Sequence, residues 1–133
     1  MNRIAIKAAI GSFALLLTSA ALAAGDFTQT CRDIDLRRGS VLEAVCRSVS
    51  GRPSRDRINL NDYIANIDGD LRWQRNGNFS ASSRNCDLDR YRGNTILRCD
   101  TQRRNGTWTS SSVNLDDRIA NINGTLRYQG HRR

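Results

Sequence analysis

"INLNDYIANIDGDLRW", from Ile58 to Trp73, returns fifty-five residues later as "VNLDDRIANINGTLRY", from Val113 to Tyr128. Each phrase holds two short apolar runs split by a dipeptide, Asp68-Gly69 in the first and Asn123-Gly124 in the second. Both dipeptides suit a two-residue hairpin turn that needs positive φ at its centre. Counting outward from Ile67 and Asp70 sets Asn66 across from Leu71 and Ile64 across from Trp73. Period-two alternation then gathers these four on one face, three of them apolar and one an amide. A core-facing amide needs partners. Asn66, and Asn121 by the same count, can pin a neighbouring loop or offer its amide to a ligand at the edge of a cleft. The preceding "INLNDY" and "VNLDDR" place Asn and Asp near the start of a single helical turn, where such residues serve as caps.

The likeness extends outward from these hairpins. "GDFTQTCRDIDL" from Gly25 returns as "GNFSASSRNCDL" from Gly77, and "VLEAVCRS" from Val41 returns loosely as "NTILRCDT" from Asn94. The chain is therefore read as two repeats, 25–76 and 77–130. A solenoid needs at least three repeats, so two copies point to one closed, pseudo-twofold-symmetric unit. "FTQTCR" and "VLEAVCR" have strand lengths, and the fold class expected is mainly β: antiparallel strands and hairpins. Phe27 with Phe79 and Trp73 with Tyr128 hold matching positions, which suggests core packing. Tyr91 and Trp108 have no counterpart; ordinary packing is the expectation for both, and an exposed contact the alternative.

"MNRIAIKAAIGSFALLLTSAALAA" has a basic start, an apolar run and a small-residue end, the pattern of a cleaved export signal over residues 1–23. A single domain over 24–130 follows, secreted or periplasmic, with no membrane span after cleavage. Cys31, Cys46, Cys86 and Cys99 are even in number and lack zinc-type spacing, so two disulfides are expected and no metal. Of three connectivities, one bridge within each repeat is favoured: Cys31 with Cys46 and Cys86 with Cys99. The net charge of +8 falls to +6 without Arg3 and Lys7. All remaining basic side chains apart from His131 are arginines, interleaved with Asp and Glu as on a solvated surface.

Nothing in the chain reads as catalytic machinery. The one histidine, His131, stands in the terminal "GHRR", and pairs such as Asp62 with Asp68 or Asp116 with Asp117 fall in turn and cap contexts. No glycine-rich phosphate loop occurs. Neither an enzyme activity nor a cofactor is expected.

In their order and internal spacing, "GDFTQTCRDIDL", "INLNDYIANIDGDLRW", "GNFSASSRNCDL" and "VNLDDRIANINGTLRY" resemble the cyanovirin-N homology family of lectins, from Gly25 to Tyr128. The resemblance implies a compact antiparallel β fold with short 3₁₀ turns, in which segments of both repeats build each half. It also implies non-catalytic binding of mannose-rich glycans at two pseudosymmetric sites. The family's positions carry over to Asp26, Gln29, Thr30, Arg47 to Val49, and Asn121, Ile122 and Asn123 for the first site. The second takes Ala65, Asn66, Asp68, Gly77, Asn78, Ala81, Ser82, Asp100, Thr101, Gln102 and Arg104. Ala65, Ala81 and Arg47 stand where the best-known member has acidic residues, which lowers the number of acceptors and would tolerate an acidic sugar.

Cys86 falls three positions beyond the place that matches Cys31, so its bridge to Cys99 requires a bulge or loop. "WQRNGN" replaces a proline-containing hinge at which the family can exchange halves; a monomer is the default and a domain-swapped dimer the alternative. The expected partner is an oligosaccharide. The competing reading is an exported scaffold module binding acidic polysaccharide or a protein through its arginines. Nucleic acid ranks last. Sequons at Asn78, Asn105 and Asn123 matter only in a eukaryotic secretory pathway.

Overall fold

In the computed structural model, residues 25–130 are described. The export signal expected over 1–23 and His131 lie outside them. Among the described residues ten strands run in order: β1 (Cys31–Arg37), β2 (Val41–Arg47), β3 (Pro53–Asn59), β4 (Ile64–Ile67), β5 (Asp70–Trp73), β6 (Ser83–Tyr91), β7 (Asn94–Gln102), β8 (Trp108–Asn114), β9 (Ile119–Ile122) and β10 (Thr125–Tyr128). They form two antiparallel three-stranded sheets, β1-β2-β3 and β6-β7-β8, and two hairpins, β4-β5 and β9-β10. The 3₁₀ turns Phe27–Gln29, Leu60–Asp62, Phe79–Ser82 and Leu115–Asp117 punctuate the repeats at matching places.

The hairpin register is the one the turn dipeptides specify. Ile64 pairs with Trp73 and Asn66 with Leu71; Ile119 pairs with Tyr128 and Asn121 with Leu126. Asp68 and Gly69 have φ of 50° and 95°, and Asn123 and Gly124 have 54° and 89°. The cap expectation also holds: Asn59 accepts from the Asn61 N–H and Asn114 from the Asp116 N–H, each at 3.0 Å. "FTQTCR" is not all strand. Its first three residues form a 3₁₀ turn, entered through Asp26 at φ 65° and closed by the Thr30 N–H on the Phe27 carbonyl.

Each half is assembled across the repeats. The second repeat's hairpin lies on the first sheet, with the Leu126 N–H donating to Asp56 at 2.8 Å. The first repeat's hairpin lies on the second sheet, with the Leu71 N–H donating to Ser111 at 2.9 Å. Phe27, Leu42, Leu60, Ile64, Phe79, Leu97, Leu115 and Ile119 are fully buried in one shared cluster. At this chain length neither half alone would bury a comparable core. Two crossing contacts fasten it. Asp116, buried, accepts from the Thr28 N–H and hydroxyl (2.9 and 2.6 Å) and from the Thr95 N–H (2.8 Å). Its counterpart Asn61 binds Ser80, donating to the hydroxyl at 2.7 Å and accepting from the N–H at 3.0 Å.

The disulfides are Cys31–Cys46 and Cys86–Cys99. Cys31 and Cys46 are direct cross-strand partners. The second bridge uses the bulge its shifted cysteine requires: the ladder slips between Arg84 and Asp87, with Asn85 at φ 53°. The first sheet carries the same bulge at Asp33, also at φ 53°, so Cys86 takes the place that Ile34 fills there. Ser83 and Thr101, the pair vacated by the move, bond elsewhere: Ser83 donates to the Phe79 carbonyl at 2.7 Å and Thr101 to the Gly69 carbonyl at 2.6 Å.

Phe27 and Phe79 are fully buried, and Trp73 and Tyr128 pack against the core at 5.8 Å between ring centroids. The packing expectation fails for the unmatched aromatics. Tyr91 is 60% exposed, and Trp108, 37% exposed, lies 3.8 Å below the Arg84 guanidinium. Trp108 pairs with Gln102 and so stands on the outward side of its sheet, opposite the face that Thr101 and Cys99 turn to the core.

Candidate functional site

Two frames lie at equivalent places, each where a hairpin turn meets the loop after the middle strand of a sheet; a groove adjoins each, the second opening beside its hairpin turn and the first over the neighbouring outward face of its sheet. The loops share one geometry. Gly51 N–H donates to the Ser48 carbonyl and Ser48 N–H to the Arg52 carbonyl; Gly106 N–H donates to Arg103 and Arg103 N–H to Thr107. A turn residue then holds each loop from the side: Asn123 accepts from the Val49 N–H at 2.9 Å, and Asp68 accepts from the Arg104 N–H at 2.9 Å.

The hairpin amides complete the frame. Asn121 donates to the Thr30 hydroxyl at 2.9 Å and the Arg47 carbonyl at 2.8 Å, while its oxygen accepts from Gly124 at 2.7 Å. Asn66 donates to the Ser82 hydroxyl (2.8 Å) and carbonyl (3.2 Å) and to the Gln102 carbonyl (2.8 Å), and accepts from Gly69 at 2.7 Å. Of the two readings open for these amides, the geometry is that of pins. Both N–H donors of each are spent on the protein, so Asn66 and Asn121 fix the rim instead of presenting it.

The first groove, about 210 Å³, is lined by Gln29, Thr30, Arg47 and, unexpected from the sequence, Arg32, Gly51 and Pro53. Val49, Asn121, Ile122 and Asn123, expected in this site, do not line the groove: Val49, 90% exposed, and Ile122 are open to solvent, and the two asparagines hold the adjoining loop. Asp26 does not line the groove either. Its N–H donates to the Asp116 carbonyl at 2.9 Å, and burial, with Asp116 and Asp117 nearby, holds its carboxyl above the ordinary carboxylate value. Close approach makes the preceding glycine necessary: at φ 85°, a Cβ on Gly25 would lie 1.8 Å from the Asp116 carbonyl oxygen.

The second groove, about 360 Å³, is lined by Asn66, Ile67, Asp68, Ser82, Gln102, Arg103 and Arg104. Ile67 and Arg103 were not singled out from the sequence, although Arg103 is the counterpart of Ser48 in the matching loop. Thr101 does not belong to the site: it is fully buried, with its hydroxyl donated to Gly69. Asp100 faces outward on the sheet and accepts from Asn85 at 2.9 Å. Asn78 supplies its N–H to Asn61 and pairs with Ala65, leaving its side chain exposed, and Ala81 is exposed beside it. Gly77 is there for space, since a Cβ would come within 2.3 Å of the Ile64 backbone.

Chemically the two rims differ. The second groove offers the outer carboxylate oxygen of Asp68 among Gln102, Arg103 and Arg104; the first offers Gln29, Thr30, Arg32 and Arg47 and has no carboxylate in its lining. Among the described residues neither Arg47 nor Arg104 has an ion-pair partner. No cluster of three or more His, Cys, Asp or Glu side chains among them could hold a metal.

Residues 27–127 match the CVNH domain. The chain belongs to the CVNH family. The CVNH protein of Gibberella zeae is 32% identical, with a TM-score of 0.73 over 80% of this chain and 99% of that one. Microvirin, solved as a mannobiose complex, is 29% identical, with a TM-score of 0.69 over 78% and 98% of the two chains. A MoCVNH3 variant, solved with (N-GlcNAc)4, is 26% identical, with a TM-score of 0.73 over 80% and 98%. CVNH relatives thus hold oligosaccharides on this fold, and this CVNH chain spans nearly their whole length.

Proposed function

We propose that this CVNH protein is a non-catalytic lectin that binds mannose-containing glycans through the two grooves and acts outside the cytoplasm after removal of its leader. The observation that carries the reading is the repeated pin: a turn-tip side chain holding the N–H of the rim loop, at Asn123–Val49 and again at Asp68–Arg104. Sugar hydroxyls both donate and accept, and a rim fixed in this way can read their geometry without reorganising on binding. Microvirin with mannobiose supports mannose as the sugar class. Each neutral hydrogen bond contributes about 0.5–1.5 kcal/mol net. A single groove of this size is therefore weak, and two on one chain gain avidity for branched or crowded glycans. The protein acts as a monomer in this account.

Titration calorimetry of the full chain with mannobiose and with chitotetraose tests the proposal. Mannobiose should bind, and Asp68→Ala should remove or weaken about tenfold one of two classes of site while leaving the melting curve cooperative. A folded protein that binds neither sugar would overturn it.

A further inference from the structure

The outward face of the first sheet, beyond the first groove at its Arg47 end, has a chemistry that neither groove uses. Along β2, Leu42, Ala44 and Cys46 point into the core. Val41, Glu43, Val45 and Arg47 therefore point out, and their cross-strand partners Arg37, Asp35, Arg32, Asn59, Arg57 and Arg55 share that side. Glu43 is only 3% exposed because guanidiniums cover it: Arg57 at 2.8 Å, Arg37 at 3.1 Å and Arg55 at 3.6 Å. The Arg57 hydrogen bond, against some desolvation, and the charges of Arg37, Arg57 and Arg55 hold its carboxyl below the ordinary value.

One carboxylate for three guanidiniums leaves an excess of positive charge. Arg37 also meets Asp35 at 3.0 Å. Arg38 has no ion-pair partner among the described residues and stands at the adjoining turn with φ 55°, a conformation that disfavours side chains other than Gly, Asn and Asp. Arg37, Arg38, Val41 and Arg57 enclose a groove of about 400 Å³. With Glu43, Asp35, Arg55 and these arginines counted, the cluster carries four positive charges against two negative. Each guanidinium has five donors in a planar fork, so the contacts to Glu43 orient the forks and leave their other edges outward for a second oxyanion. The second sheet lacks the device: Arg98 replaces Glu43 there and pairs with a single Asp89.

We propose that this face is an anion-binding surface for acidic polysaccharide, with the oxyanions of carboxylated or sulfated sugars received between the forks of Arg37, Arg38, Arg55 and Arg57. The surface is long enough for a polymer. Val41 to Arg47 extends about 20 Å at the rise of a strand, and at its far end Arg32 and Arg47 line the first sugar groove. A glycan with a neutral end in that groove would lay its acidic continuation over the arginines. Nucleic acid fits less well, because single-stranded binders interleave cations with aromatic platforms. None of the outward positions on this face is aromatic. Tyr91 and Trp108 belong to the other sheet. The proposal is independent of the mannose reading.

The test measures binding of the full chain to immobilised polygalacturonate and dextran sulfate, with neutral dextran and a single-stranded oligonucleotide as comparisons. Arg38→Gln/Arg55→Gln is the informative variant, because it preserves the short Arg37 and Arg57 contacts to Glu43; Arg90→Gln/Arg92→Gln removes equal charge from the second sheet. The first variant should weaken binding to whichever anionic polymers the wild type holds by tenfold or more, and lower the salt dependence. The second should change binding less than twofold, and mannobiose titration should be the same for both. Equal losses in the two variants, wild-type binding by Arg38→Gln/Arg55→Gln, failure to bind either anionic polymer, or tighter binding of the oligonucleotide would overturn the proposal. A carboxylate source is separated from a sulfate source by which of the two polymers shows the loss.

Discussion

The two halves of the molecule share a frame and differ in nearly everything attached to it. Turn dipeptides, capping asparagines, hairpin amides, rim loops and bulges recur at matching places. The disulfide moves from a direct cross-strand pair to a bulge, the crossing pin changes from Asn61 to Asp116, and one sheet clusters arginines around Glu43 where the other has Arg98 beside Asp89. The recurring parts are those that satisfy backbone N–H and carbonyl groups, which have no alternative partners once buried. The differing parts are side chains that either face water or can exchange one satisfied arrangement for another. Duplication thus fixed the hydrogen-bond frame and left the rims and outer faces free to specialise.

The largest asymmetry lies in the crossing pins. Asp116→Ala strands the Thr28 and Thr95 N–H groups in the core and should cost about 4 kcal/mol, while Asn61→Ala, half-buried, should cost about 1–2 kcal/mol. Urea unfolding checks both, and equal costs would break the claim that the halves are fastened differently. Next come the bridges. Sequence separations of 15 and 13 residues predict that Cys31→Ser/Cys46→Ser and Cys86→Ser/Cys99→Ser each lose about 3 kcal/mol, so the relocated bridge should be worth as much as the unmoved one. A clear inequality would show that the bulge position changes what the bridge does.

The hairpin pins sharpen the comparison further. Asn66→Ala and Asn121→Ala should each destabilise by about 2 kcal/mol while keeping a cooperative transition, and each should weaken glycan binding only in its own half. Loss in both halves from either substitution would deny their independence. The smallest effect is on acid stability. Glu43 has its folded-state value lowered, so its contribution is present above the ordinary glutamate value of 4.5 and disappears as pH falls below it. Acid titration of Glu43→Gln should therefore show a shallower loss of stability below that pH than the wild type.

Much of the frame was legible because glycine, asparagine and aspartate carry turn geometry in their identities. Asp68-Gly69 and Asn123-Gly124 gave the hairpin register residue for residue, and Asn59 and Asn114 announced the caps. The Arg38-Gly39 and Arg92-Gly93 turns were not read, because arginine is not a residue that signals positive φ, yet both take it at 55° and 51°. The opening "FTQ" was read as strand because its 3₁₀ turn is set by Asp26 and by packing on Asp116, ninety residues away in the chain. Site residues transferred as a contiguous run, Asp100 to Gln102, ignored strand alternation, which sends Thr101 inward. Arg103 and the Glu43 cluster depend on loop and cross-strand neighbours that no local pattern reveals.

The central claim is that both halves present a fixed polar rim to sugar. Heteronuclear NMR of the labelled chain titrated with mannobiose measures it most directly. The account predicts saturable shifts at Thr30, Arg47 and Val49 and, separately, at Asp68, Gln102 and Arg104, while the amides of Leu42 and Leu97 stay still. Shifts confined to the arginine face, or none at any concentration in a folded sample, would contradict it.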